Sequence, residues 1–172
     1  GLTDFDGLLA TYVGWARAAR GSGDDAGARR AVAEAAKLAE ASGGQPPIVA
    51  IMEGLLSEDP DAGEARALEG LELAGAAGDP MAQLAGLTTL AQLARRRGDH
   101  PTALERIDAA LRLVSQIGDR HREAALHDLA ADLHPEMGDE DKAMEQQRQA
   151  AALFAEVGTG DLEPAIWKIT PW

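Results

Sequence analysis

Gly98-Asp99-His100-Pro101 joins a helix stop to a helix start. Glycine ends one helix, aspartate caps the next, and proline sits in the first turn, where its missing N–H costs nothing. The hinge returns as Gly138-Asp139, 40 residues later. A second hinge, Gly78-Asp79-Pro80, returns as Gly118-Asp119 at the same interval, and its glycine returns once more as Gly158. Two interleaved hinges with one period predict a repeated helix pair.

Outward from these hinges the chain reads as eight helices. Residues 4–20 form the first, ending at Gly21-Ser22-Gly23. Asp24 or Asp25 caps the second, which runs to Ser42 with Ala28, Val32, Ala35 and Ala39 on one face. Gly43-Gly44-Gln45-Pro46-Pro47 breaks the chain before a short apolar helix from Ile48 to Ser57. Asp59-Pro60 starts a helix to Ala77, and Asp79-Pro80 another to Arg97. The next, Pro101 to Ile117, carries Ala103, Ile107, Ala110, Val114 and Ile117 as one stripe with Leu104 and Leu111 beside it. Arg120 to Glu136 gives a seventh. Glu140 to Val157 gives an eighth, with Ala143, Met144, Ala150, Ala151 and Phe154 inward. Residues 158–172 are too short for another pair and read as a tail.

Composition agrees. In 172 residues the hydrophobic share is 45% but the aromatic share only 3%, so the buried surface must be mostly Ala and Leu, which favour close helix packing. A net charge of −13 argues against direct binding to nucleic acid or anionic lipid. No cysteine is present, which removes disulfides, thiolate nucleophiles and cysteine zinc sites and fits a cytoplasmic chain. No apolar run approaches a membrane span. A start at Gly1 rather than Met is what an excised or processed piece of a longer protein would show.

Register comparison tests the repeat. Five residues after the turn glycines Gly23, Gly98 and Gly138 stand Ala28, Ala103 and Ala143; four further on stand Val32, Ile107 and Gln147, and three beyond that Ala35, Ala110 and Ala150. Seven before the glycines lie Ala16, Ala91 and Ala131. The pattern resembles the tetratricopeptide repeat, with small residues on both helices around a Gly-Asp turn. The resemblance covers residues 1–157 as four helix pairs, about 4–42, 46–77, 80–117 and 120–157. In the second pair Glu58 replaces the turn glycine, and Gly63 and Gly70 stand in for the small residues. The 40-residue spacing is similar to the longer-helix variants of the family. The segment Glu163-Pro164-Ala165-Ile166-Trp167-Lys168 resembles the C-terminal segment of large actinobacterial ATP-binding transcriptional regulators that end in such repeats.

The resemblance implies an all-α, right-handed α-solenoid of four antiparallel helix pairs with a short C-terminal tail, its first helices lining a concave groove. Residues pointing away from the small-residue seam would line that groove. They are Val13, Arg17 and Arg20 in the first pair, Met52 in the second, Thr88, Gln92, Arg95 and Arg96 in the third, and Asp128 and Asp132 in the fourth. Such a groove is basic at one end and acidic at the other, and suits a peptide of mixed charge.

Other candidates have structural readings. Arg95-Arg96-Arg97 offers an anion hook, yet cations in a last helical turn also complement the dipole. His121, His127 and His134 lack the spacing of a helical zinc site, and the last two occupy the inter-helix seam. Gly21-Ser22-Gly23 with Gly27 fits no phosphate-loop pattern. Tyr12 and Trp15 read as core packing. Trp167 and Trp172 read as a cap over the last pair, or as a surface for self-association. No carboxylate pair is joined to a nucleophile and a base.

The sequence thus predicts a non-catalytic protein- or peptide-binding scaffold with no catalytic, cofactor or metal residues. It reads as the sensory or regulatory arm of a larger cytoplasmic regulator, with a transcriptional role among its outputs. The alternatives are a homo-oligomerisation module acting through the tail or end repeats and, third, an enzyme or small-ligand-binding domain.

Overall fold

A computed structural model describes residues 2–157, and among them every regular element is helical. α1 (Leu2–Gly21) packs on α2 (Asp25–Ser42), α3 (Pro47–Leu56) on α4 (Pro60–Ala77), α5 (Pro80–Arg96) on α6 (His100–Ile117), and α7 (Arg120–Leu133) on α8 (Glu140–Glu156). Each second helix also leans on the first helix of the next pair: α2 on α3, α4 on α5, α6 on α7. This is how a solenoid extends its core one pair at a time. α3 meets α5 directly as well, on the side of the array called here its inner face.

The hinges work as their residues dictate. Asp59 accepts hydrogen bonds from the Asp61 and Ala62 amides, and Asp79 from those of Met81 and Ala82. Asp24, Asp99 and Asp119 each take one amide of the helix that follows. The stops need a left-handed residue: Gly98 and Gly118 sit at φ 74° and 80°, where a side chain would be strained.

The core is a ribbon of small clusters. Ala16, Ala19, Ala28, Ala31, Val32, Met52 and Leu56 close the first pair against α3. Leu84, Ala91, Ala94, Ala103, Ile107, Ala110, Val114, Leu126, Ala130 and Leu133 join α5, α6 and α7. Ala103, Ile107, Ala110 and Val114 have no exposed surface, as the stripe on α6 predicts.

The structure corrects the sequence reading at several places. Ile117, at the end of that stripe, is 37% exposed. The seventh helix stops at Leu133, because Pro135 has no N–H to continue the ladder and the chain turns instead through a 3-10 segment, Pro135–Met137. On α8 only Ala143 and Ala150 are buried; Met144 and Ala151 face outward and Phe154 is half-buried. α8 is the last described helix, and among the described residues no further pair stacks on it.

The second pair is the tightest. A Cβ at Gly54 would lie 2.6 Å from the Gly63 carbonyl oxygen, and one at Gly63 would lie 2.8 Å from that of Gly54. A Cβ at Gly70 would come within 2.9 Å of the Ile51 nitrogen and 3.0 Å of the Pro47 oxygen. Glycine is therefore required on both sides of this seam. It brings the ten-residue α3 close enough to bury Val49, Ala50, Ile51, Met52, Leu55 and Leu56.

Candidate functional site

Arg17 and Arg20 lie one turn apart on α1, on the flank of the small-residue seam formed by Ala16 and Ala19. Arg20 is half-buried, and its Nη2 donates to Oε1 of Gln92 at 2.9 Å, linking the first pair to the third. Its Nη1 is buried with no acceptor. Burial first, and then the positive charge of Arg96, hold its guanidinium below the usual arginine value, while Asp25 offsets part of this. Arg96 also belongs to the inner face: its Nη1 donates to the Leu55 carbonyl at 3.1 Å. α3 ends without a left-handed glycine, so a guanidinium from the next pair supplies a donor to its last turn.

Arg17 meets a different neighbour. Burial, and then Arg122 of α7, lower its pKa from the ordinary value. Arg17 and Arg122 open onto a pocket of about 220 Å³ lined also by Ile48, Asp79, Met81, Ala82, Leu84 and Ala85. Arg122 pairs with the cap residue Asp119. The carboxyl of Asp119 is raised by burial, but this is outweighed by bonds from the Arg122 amide and guanidinium, which hold it below the usual range.

Among the described residues, Arg17, Arg20 and Arg96 form no ion pair, in a chain whose net charge is −13. Four guanidiniums from α1, α5 and α7 thus gather on the inner face. Arrays of this kind hold oxyanions, because the planar fork matches a carboxylate.

Of the residues expected in the groove, Arg17, Arg20, Gln92 and Arg96 are brought together. Met52 and Thr88 are not available: Met52 is 4% exposed in the cluster beneath α1, and Thr88 is fully buried with its hydroxyl donating to the Leu84 and Ala85 carbonyls. Both sit where α3 and α5 meet their neighbours, so side chains that point off the outer seam fall into the inner one. Val13 is half-buried against the same cluster as Met52. Arg95 is exposed, and Asp128 and Asp132 are half-buried on α7.

Sequence reasoning missed Arg122. Its signal was present, since three basic residues, Arg120, His121 and Arg122, crowd a first helical turn where the dipole disfavours cations. The basic run on α5 is divided. Arg97 turns away to α4, where Nη1 donates to Glu64 at 2.6 Å, and that bond holds the Glu64 carboxyl below its usual range. Arg96 alone reaches inward to a described partner.

The remaining candidates resolve simply. His127 places Nδ1 2.6 Å from Oε1 of Gln146 across the α7–α8 seam, and His134 is buried. Among the described residues no three His, Cys, Asp or Glu side chains converge as a metal site would require. The α2 amide at Gly27 is taken by Asp24 at 2.7 Å, as a cap and not a phosphate cradle. Trp15 departs from the core-packing expectation: it is 52% exposed, because Ala16 and Ala19 take the buried face, while Tyr12 is half-buried. Trp167 and Trp172 lie outside the described residues. No described helix is long and apolar enough to cross a membrane.

Residues 82–156, from α5 to α8, match the family model of the tetratricopeptide repeat. This part of the chain is similar to tetratricopeptide repeats, which stack into extended binding surfaces. The whole array has the same architecture. It is similar to the solved structure of a Signal Transduction ATPase with Numerous Domains (STAND) protein with a tetratricopeptide repeat sensor from Pyrococcus horikoshii, at a TM-score of 0.65 and 17% identity. That likeness covers 87% of this chain and 24% of the other, so the chain spans about a quarter of that protein's length. No curated protein sequence matches the chain.

Proposed function

We propose that this chain is the sensory arm of a larger cytoplasmic regulator, and that it binds a segment of a protein partner along the inner face of its repeats without catalysing a reaction. The observation that carries this reading is the gathering of Arg17, Arg20, Gln92 and Arg96 from two non-adjacent pairs onto one face. Side chains held this way across repeats present a composite surface that no single helix pair has. The likeness to a repeat sensor within a signal-transduction ATPase supports a regulatory setting, and a transcriptional output is one form such a regulator takes.

The test is positional. A photo-crosslinking residue replaces Gln92 on the inner face or Arg112 on the exposed side of α6, in the full chain incubated with cytosol of the source cell. A defined adduct from position 92 with none from position 112 is expected. Adducts from position 112 alone would move the binding surface to the outer helices and end this reading.

A further inference from the structure

The joint of α4 with α5 and that of α6 with α7 share one register, which the hinge glycines set. Eight residues before Gly98 stands Leu90, and eight before Gly138 stands Ala130. Leu90 is buried in a cluster with Ala67 of α4, on which Leu71 packs; Ala130 is buried in the cluster on which Leu111 of α6 packs. Leu71 and Leu111 in turn stand seven before Gly78 and Gly118. Each joint thus sets one place on a first helix against one place on the second helix before it. The two outermost helices carry the same places uncovered. Trp15 of α1 lies eight before Gly23, and Ala151 of α8 lies seven before Gly158. Leu90 and Ala130 are each 2% exposed, whereas Trp15 is 52% exposed and Ala151 faces outward. Two turns along on the same faces stand two more exposed hydrophobic side chains, Leu8 on α1 and Met144 on α8. Among the described residues, α1 is a receiving half of the joint with nothing on it, and α8 is the other half with nothing beneath it.

We propose that the chain stacks end to end with a second copy, α8 of one lying on α1 of the next as α6 lies on α7. Side-chain volumes favour this occupant. Leucine stands at both places in one internal joint, and alanine with leucine in the other. Between copies the large Trp15 meets the small Ala151, so the indole finds room that a second leucine would deny it. Leu8 and Met144 add apolar area on the same two faces, and stacking removes it from water. The contact is heterologous: each copy uses a different face, one half of the joint stays open at either end, and the stack does not close. Within the chain a short hinge tethers the two halves of a joint at an effective concentration on the order of millimolar, and no hinge tethers two copies. Stacking is therefore absent in dilute solution and grows in wherever copies are crowded together. It prolongs the repeat array, and with it the inner face, beyond four pairs.

Sedimentation equilibrium on the 172-residue chain, from about 1 μM to about 1 mM, tests it. The mass is that of one chain at the dilute end and rises to roughly twice that or more at the other, with no plateau at a dimer. Trp15→Glu spoils the receiving half and Ala151→Glu the other half, both at exposed positions, and each variant alone stays at one chain throughout. Mixed in equal amounts, the two variants retain one good half each, so the mixture forms a complex of two chains and stops there. That recovery also shows both variants to be folded. Met81→Glu, at an exposed hydrophobic position on α5, leaves the rise unchanged. A mass of one chain at the highest concentration overturns the proposal. So does a rise that neither variant abolishes, or one that Trp15→Glu abolishes and Ala151→Glu does not, which would mark a symmetric contact of α1 with α1. A mixture that stays at one chain overturns it as well. Crosslinking from position 92 reads the inner face alone, so the binding reading stands or falls separately.

Discussion

Gly70 shows how much one missing methyl can decide. Its Cα faces Ile51 and Pro47 of α3 across a gap with no room for a Cβ, whereas Gly75, one turn further along α4, has nothing within 4 Å. The same substitution should therefore act in opposite directions. Gly70→Ala forces α3 and α4 apart and lowers unfolding free energy by about 1–3 kcal/mol. Gly75→Ala relieves a helix-interior glycine and raises it by about 0.5–1 kcal/mol. Urea titration of the two variants checks both signs. Part of this was legible: Gly63 and Gly70 fall where other pairs place small residues. Gly54 was not, because its constraint comes from the Gly63 carbonyl on another helix, and a lone glycine in an apolar run carries no mark of what lies opposite. The burial of Thr88 was likewise hidden, since its hydroxyl is satisfied by its own helix and needs no solvent.

At the scale of elements the hinges were the readable part, because stop and start signals are local. A cap reports its helix whatever the rest of the chain does, which is why seven of the eight expected spans end within about two residues of the observed ones. The exception, α7, overran because its apolar pattern continues past Pro135 while the backbone cannot. The caps are not equivalent. Asp59 takes two amides of α4, whereas Asp139 makes no cap bond to α8 and pairs instead with Lys142 at 2.7 Å. Asp59→Ala should cost about 1 kcal/mol and Asp139→Ala clearly less, read as thermal shifts on otherwise unaltered chains. Faces were less legible than ends. The outward Met144 and Trp15 belong to the first and last described pairs, each packed on a described neighbouring pair on one side, and periodicity alone cannot say which side that is.

For the whole molecule, the solenoid followed from periodicity, but the inner site did not, because it joins α1, α5 and α7, whose separation depends on how the array curves. Arg17, Arg20, Gln92 and Arg96 were placed on a groove from family resemblance; that they converge, and that Arg122 joins them, required coordinates. The reading also sets an expectation for assembly. If the inner face serves a partner and the terminal segment does not join copies, removing residues 159–172 leaves the light-scattering mass at one chain, with only the deleted mass lost. A dimer that falls to a monomer on deletion would assign assembly to that segment.

The Arg20–Gln92 bond spans 72 residues and skips the second pair entirely. In an arc built only from adjacent blocks, curvature is free to vary at each joint; a chord from the first block to the third sets the radius. Here the chord is anchored by the same guanidinium that has a donor to spare. A partner that drew Arg20 away from Gln92 would let out the chord, and the curvature of the arc would then report whether its hollow is filled.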